Sequence, residues 1–485
     1  MTPPATAPPG NAPPPKRRGR RLWGGVGVGA ALLAGGFFVW SQQRPAPDAH
    51  EAHDAAHPKH AHAHEKPLAK PQVPLEVLVQ TDRAARAAAT GERAKARELL
   101  AATLKQAPKH APALLVRACL ALEEDNDAEL REALQQLDAA APGSMEARLL
   151  ERLHTLRRAP DMDWQQAFRE AWVALGRPDF QQSALLPGAT PLPPDPAVAD
   201  AVKAAWEKAP SDDVRLMLAL GSWRLEADQA LFLLGQVPRL EDPALFVAVM
   251  DALRGEALPQ SAHAEARATF RQKLEALAAA HPRVMQLQLL LLLGDTEPGS
   301  EMSAAELDSL EKVAALPLWR EGTLTRTFEE ARGLLESSGV PDVSATAMRV
   351  ASRSVADRGS WVLRTRNVGT RGTLSPEGIQ RLGRITRDIG ARMAEQPTMM
   401  ERMVGLQLLR GGAQDMGDET RREQALIQLD ALEAAVARFR QAAMDRWPLH
   451  ALAEALLRAS LRDEPTYLLS FAPADAAPTA EARQP

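Results

Sequence analysis

Along much of this chain proline falls between the apolar-periodic runs, not within them. Pro108, Pro142, Pro210, Pro238, Pro259 and Pro282 separate successive runs. A proline removes a main-chain donor and clashes with the preceding helical turn, so it ends a helix where it falls. The runs themselves are built from Leu, Ala, Val and Met, with aromatics at only 4% of 485 residues and a single tyrosine. That palette favours helices over strands. An all-α fold is expected. Hydrophobic residues at 45% and charged residues at 25% are ordinary for a folded body, which excludes overall disorder and a polytopic membrane protein.

Residues 22–40 form a different kind of run. Leu22–Trp40 contains no charged residue, follows five cations between Lys16 and Arg21, and carries Trp23 and Trp40 near its ends. Nineteen helical residues reach ~28 Å, close to the hydrocarbon thickness of a bilayer. The flanking cations hold residues 1–21 on the cytoplasmic side, so the expectation is a single transmembrane helix with everything after it exported. A cleaved signal peptide is the rival reading; it normally has a shorter apolar stretch and a small-residue cleavage site, which Phe37–Gln43 lacks. Gly25 and Gly29 are spaced as a GxxxG pair and would allow a homodimer contact within the bilayer.

Residues 41–75 read as a His/Pro-rich linker. His50, His53, His57, His60, His62 and His64 are six of eleven histidines in the chain. Imidazoles at this density can bind Zn, Ni or Cu weakly, which makes these six residues the candidate metal ligands. A solvated spacer is the alternative, and no other cofactor is expected.

From Leu75 onward the helical periodicity acquires a longer repeat. Ala96, Leu100 and Thr103 precede Pro108, and 34 residues later Leu130, Leu134 and Leu137 precede Pro142. Leu114, Ala118 and Ala121 occupy the helix between them, and Trp164, Phe168 and Ala171 continue the stripe with Gly176 in place of the proline. This resembles the tetratricopeptide-repeat family, whose period is 34. The resemblance covers about residues 75–178, giving a repeat domain over 76–180, and implies stacked helical hairpins that bind protein segments in a groove. Gln80 and Arg83 stand where the family pattern is apolar, as in an outer capping repeat. A Pro-rich linker over 181–196, degenerate helical repeats over 197–471 and a disordered tail over 472–485 complete the organisation.

Several finer expectations follow. Val284–Leu293 is too short to cross a bilayer and suits a buried helix. Ser303 with Glu306 forms a capping box, and Ser375-Pro376 an N-cap followed by a first-turn proline. Trp361–Thr370 breaks the helical pattern and reads as a loop or short hairpin. Ten arginines face three carboxylates between Arg349 and Arg392, which reads as a solvated surface, with a patch for an acidic partner, anionic lipid or cell-wall polymer as the alternative. Cys119 is the lone cysteine, so no intrachain disulfide forms. A net charge of −4 gives no reason to expect nucleic acid. No metalloprotease, serine-hydrolase or nucleotide-binding motif is present, and a non-catalytic role is expected.

The expectation is therefore a single-pass bacterial inner-membrane protein whose periplasmic TPR-like solenoid binds protein partners as a cell-envelope scaffold. Two alternatives stand beside it: metal buffering by the histidine tract, and an envelope enzyme with a carboxylate-lined pocket within residues 300–470.

Overall fold

The computed structural model describes residues 73–472, apart from 190, 191, 193, 194, 255–257, 298 and 357. The basic tail, the 22–40 run with Gly25 and Gly29, the six histidines of the tract and residues 473–485 lie outside the described residues. Among the described residues there is no strand, and no helix is long and apolar enough to cross a membrane.

Three antiparallel pairs open the fold: α1 (Leu75–Ala89) with α2 (Arg93–Gln106), α3 (Ala111–Glu123) with α4 (Asp127–Ala140), and α5 (Met145–Arg157) with α6 (Trp164–Ala174). The residues of the 34-residue stripe are the ones that pack. Ala96, Leu100, Thr103, Leu130, Leu134, Leu137, Phe168 and Ala171 are all buried, since a lone pair cannot cover both faces and must stack on the next. Where proline is missing after α6, Gly176 takes φ +81°, a left-handed stop that a side chain would oppose.

The chain continues through α7 (Pro196–Glu207), α8 (Asp212–Leu220), α9 (Ala227–Gln236), α10 (Pro243–Ala252), α11 (His263–Ala280) and α12 (Met285–Leu293). It then forms α13 (Ala304–Ala314), α14 (Leu324–Leu335), α15 (Val343–Ser354), α16 (Arg358–Thr370), α17 (Pro376–Ala394), α18 (Met399–Met416), α19 (Glu419–Ala442) and α20 (His450–Leu469). Side-chain caps fix many of the starts. Ser303 and Glu306 form the expected box on α13, and Ser375 accepts from Gly378 N at the start of α17. α12 is buried along most of its length, as its apolar run requires.

Two expectations are corrected. Trp361–Thr370 is neither loop nor hairpin but the body of α16. Its own pattern is weakly amphipathic, and the helix is held from outside, by Asn367 Nδ2 donating to Thr386 Oγ1 at 2.9 Å and Arg364 Nη1 to Gln407 Oε1 at 2.7 Å.

Several arginines of 349–392 are not on a solvated face either, although Arg384 and Arg392 are exposed. Arg366 is 2% exposed; it donates to Glu306 Oε1 at 2.7 Å and Glu301 O at 2.6 Å, holding the Glu306 carboxyl down to about 2. Arg349 stacks 5.4 Å from the Trp223 ring and donates to Gly221 O, while Arg353 donates to Ser222 O at 2.9 Å. Arg371 pairs with Asp415 at 2.6 Å, and Arg381 with Asp308 and Glu311. The local charge count misleads because the compensating carboxylates come from α13 and α18, outside the basic stretch.

α17 and α18 approach closely at facing glycines. Gly383 and Gly390 on one helix oppose Gly412 and Gly405 on the other. A Cβ on Gly390 would lie 2.6 Å from Leu409 N, and one on Gly405 would lie 2.7 Å from Gly390 O. Backbone therefore meets backbone at these positions.

The end of the chain returns to its beginning. Residues 114–186 and 399–471 share one apolar core. The scarce aromatics gather there: Trp447 lies edge-on to Phe168 at 5.8 Å and to Phe180 at 5.2 Å, and Phe471 approaches Trp172 at 6.2 Å and Phe439 at 5.2 Å. Buried rings in edge-to-face contact add about 0.5–1.5 kcal/mol per pair beyond their area. Arg446 fastens the joint by donating to the carbonyls of Gln181 at 2.8 Å, Pro187 at 2.9 Å and Leu186 at 3.1 Å.

Candidate functional site

Helix α20 lies along one edge of the three opening pairs. His450 Nδ1 meets Ala89 O at the end of α1 at 3.0 Å, and Ala451 N donates to Glu123 Oε1 at the end of α3 at 2.7 Å. Farther along, Arg169 of α6 donates to Ser470 O at 3.5 Å. A helix does rest against the repeat-like pairs, and it is the chain's own.

Hollows remain on both flanks of α20. The more enclosed one is a cavity of about 520 Å³. Its walls come from the second half of α1, from Lys95 and Leu99 of α2, from Pro187–Gly188, from the start of α7, from Pro341–Asp342 and from Met444–Leu456. Most of this wall is apolar: Ala85, Ala87, Ala89, Leu99, Ala197, Val198, Ala201, Met444, Trp447 and Leu456. The volume is in the range of small-ligand and side-chain pockets. Of residues 300–470, Asp342 and Asp445 supply its carboxylates, while its other acidic residues, Glu92 and Asp195, come from the opening pairs and the proline-rich turn.

The ionic groups on the wall are organised in pairs. Arg83 makes a two-pronged contact with Asp195, both distances 2.7 Å, and this donation lowers the Asp195 pKa. Asp195 also caps α7 through Ala197 N at 3.0 Å. Arg86 pairs with Asp82 at 3.1 Å and lies 3.8 Å from Asp195. Lys95 pairs with Glu92 at 2.9 Å. Arg83 thus departs from the repeat pattern because it holds the turn that leads into α7, a role invisible from the first repeat alone.

Asp342 caps α15 through Ala345 N at 2.8 Å, and burial raises its carboxyl pKa. Asp445 is different. It is exposed on the cavity wall, and the Arg446 and Arg440 guanidiniums act on its carboxylate. It makes no hydrogen bond or ion pair with another side chain among the described residues.

The second hollow, about 590 Å³ and more open, lies between Arg157, Trp164 and the Arg458–Arg462 face of α20. The histidines outside the tract are dispersed. His154 meets Asp127 at 2.7 Å, His281 meets Glu321 at 2.7 Å, and His110 is buried. Among the described residues no group of three or more His, Cys, Asp or Glu is placed to hold a metal ion. Cys119 is buried, which raises its thiol pKa.

No family model, curated protein or solved structure matches this chain. The functional reading therefore rests on the site.

Proposed function

We propose that this chain is a membrane-tethered scaffold of the cell envelope that captures a segment of a partner protein at the cavity beside α20. The observation that carries the reading is the cavity itself: about 520 Å³ of mostly apolar wall, sited where the first helical pair, the proline-rich turn and the last helix meet. Stacked antiparallel pairs support it, since such arrays present extended surfaces assembled from several repeats. The 22–40 run supplies the tether, and tethering raises the local concentration of whatever the cavity holds. The resemblance of about residues 75–178 to tetratricopeptide repeats points the same way.

The test is site-specific photo-crosslinking in cells. A photoreactive residue at the rim position Lys95 is expected to trap one discrete partner, and the same residue at Glu275 on α11 is expected not to. Equal labelling from both positions, or none from the rim, would overturn the reading. The tether is checked separately: a reporter active only in the periplasm, fused after residue 75, is expected to be active.

A further inference from the structure

The two hollows beside α20 differ in charge. The more enclosed one is lined by four cations and four carboxylates. The open one is lined by Arg157, Arg458 and Arg462 against Asp163 alone. That carboxylate is already in use, since Asp163 Oδ1 accepts from Gln166 N at 2.7 Å and caps α6. Asp463, next to Arg462, lies 3.7 Å from Arg402 on α18. Among the described residues none of the three arginines forms a salt bridge. Arg157 donates to the Met162 carbonyl and lies 4.7 Å from the Trp164 ring, and neither contact neutralises its charge. Arg458 and Arg462 are exposed at the groove. Guanidiniums gathered on one concave surface sum to a positive potential that draws an anion.

The spacing narrows the choice of anion. Arg458 and Arg462 stand one helical turn apart, which puts their Cβ atoms about 5–6 Å from each other. Alternate side chains of an extended strand stand about 6.6 Å apart on one face. Ala451, Ala455 and Ala459 recur at the same helical interval along the groove, so an extended main chain can lie close to α20. A guanidinium fork matches a carboxylate in plane and in charge.

We propose that this groove binds an extended acidic segment of a partner protein, whose carboxylates at alternate residues meet Arg458 and Arg462. Arg157 adds to the attraction from the side of the opening pairs. The site is separate from the apolar cavity of the proposed capture function and does not rest on it.

The full-length chain in non-ionic detergent is titrated with the end-blocked peptide Ser-Glu-Ser-Glu-Ser and with its Gln and Lys counterparts, followed by ligand-observed NMR. The Glu peptide is expected to bind at least tenfold more tightly than either counterpart. R458Q/R462Q is expected to reduce its affinity to that of the Gln peptide. R421Q/R422Q removes the same charge from an exposed part of α19 and is expected to leave binding unchanged. Circular dichroism checks that the variants fold. Should the double variant not fold, R458Q alone, expected to weaken binding at least threefold, keeps the test decisive. Inorganic phosphate is titrated alongside, and phosphate bound as tightly as the Glu peptide assigns a small anion and overturns the proposal. A Glu peptide that binds no better than its Gln counterpart, or binding that survives R458Q/R462Q, overturns it as well. Cross-linking from Lys95 reads the other flank of α20, so either result can fail without the other.

Discussion

Adjacent glycines on α18 give a matched pair for testing how the α17–α18 contact is made. Gly411 and Gly412 both lie inside the helix, so replacing either with alanine gains about 1 kcal/mol of intrinsic helix propensity. Their surroundings differ. A Cβ on Gly411 would have Arg371 Nη2 as its nearest neighbour, at 3.6 Å, an ordinary contact with the end of a flexible side chain. A Cβ on Gly412 would strike the Gly383 carbonyl oxygen and lie 2.6 Å from Arg387 N and 3.0 Å from Arg387 Cα.

Those are backbone atoms of a packed helix and cannot rotate away, so the two helices must separate. Overpacking of this kind costs about 1–3 kcal/mol, and rigid backbone on the facing side argues for the upper end. G411A is therefore expected to be neutral or stabilising by up to about 1 kcal/mol. G412A is expected to be destabilising by about 2 kcal/mol after the propensity gain is subtracted. Thermal melting gives the order of the variants. Hydrogen exchange of peptides covering 382–393 and 405–416 localises the effect, with faster exchange in G412A alone. A G412A protein as stable as G411A would refute the claim that backbone contact sets the spacing of these helices.

Two further outcomes follow from buried acids. Glu401 is 1% exposed and receives Trp319 Nε1 at 3.0 Å, Arg320 Nε at 2.8 Å and Thr398 Oγ1 at 2.6 Å. E401A strands a buried guanidinium and an indole donor, and denaturant unfolding is expected to show a loss of about 3–5 kcal/mol. Glu464, beside the break in α20 at Asp463, accepts from Met399 N at 2.8 Å, and burial raises its pKa from 4.5 to about 7. The folded state holds this proton where the unfolded state has released it, so the group's contribution is complete below pH 4.5 and declines as pH rises toward 7. E464Q is expected to flatten the fall in melting temperature across that window, and a parent slope retained in E464Q would contradict the assignment.

The opening helical pairs, their stops and the caps at Ser303 and Ser375 could be read along the chain, because each depends on residues within a turn or two. The 34-residue stripe is buried as its spacing requires, Pro108 and Pro142 fall where α2 and α4 have ended, and Ser303, Glu306 and Ser375 cap as their local order dictates. α16 was not legible. Its own stripe is weak, and its stability comes from Thr386 and Gln407 on helices that follow it. The basic stretch was misread for a related reason: a charge count sees ten arginines, whereas burial and partners from α13 and α18 decide what they do. Neither could Arg83 be explained within its own repeat, since Asp195 lies 112 positions away.

Sequence by itself determined that this chain is helical and where several of its helices begin and end, because propensity, capping and proline act over a few residues. Only the tertiary structure decided that Trp447 and Phe471 meet Phe168 and Trp172, that α20 lies against the opening pairs, and that a cavity is left where they join. Such contacts link residues hundreds of positions apart. Apolar burial rewards any partner of suitable shape, so it is packing, not periodicity, that selects which one is used.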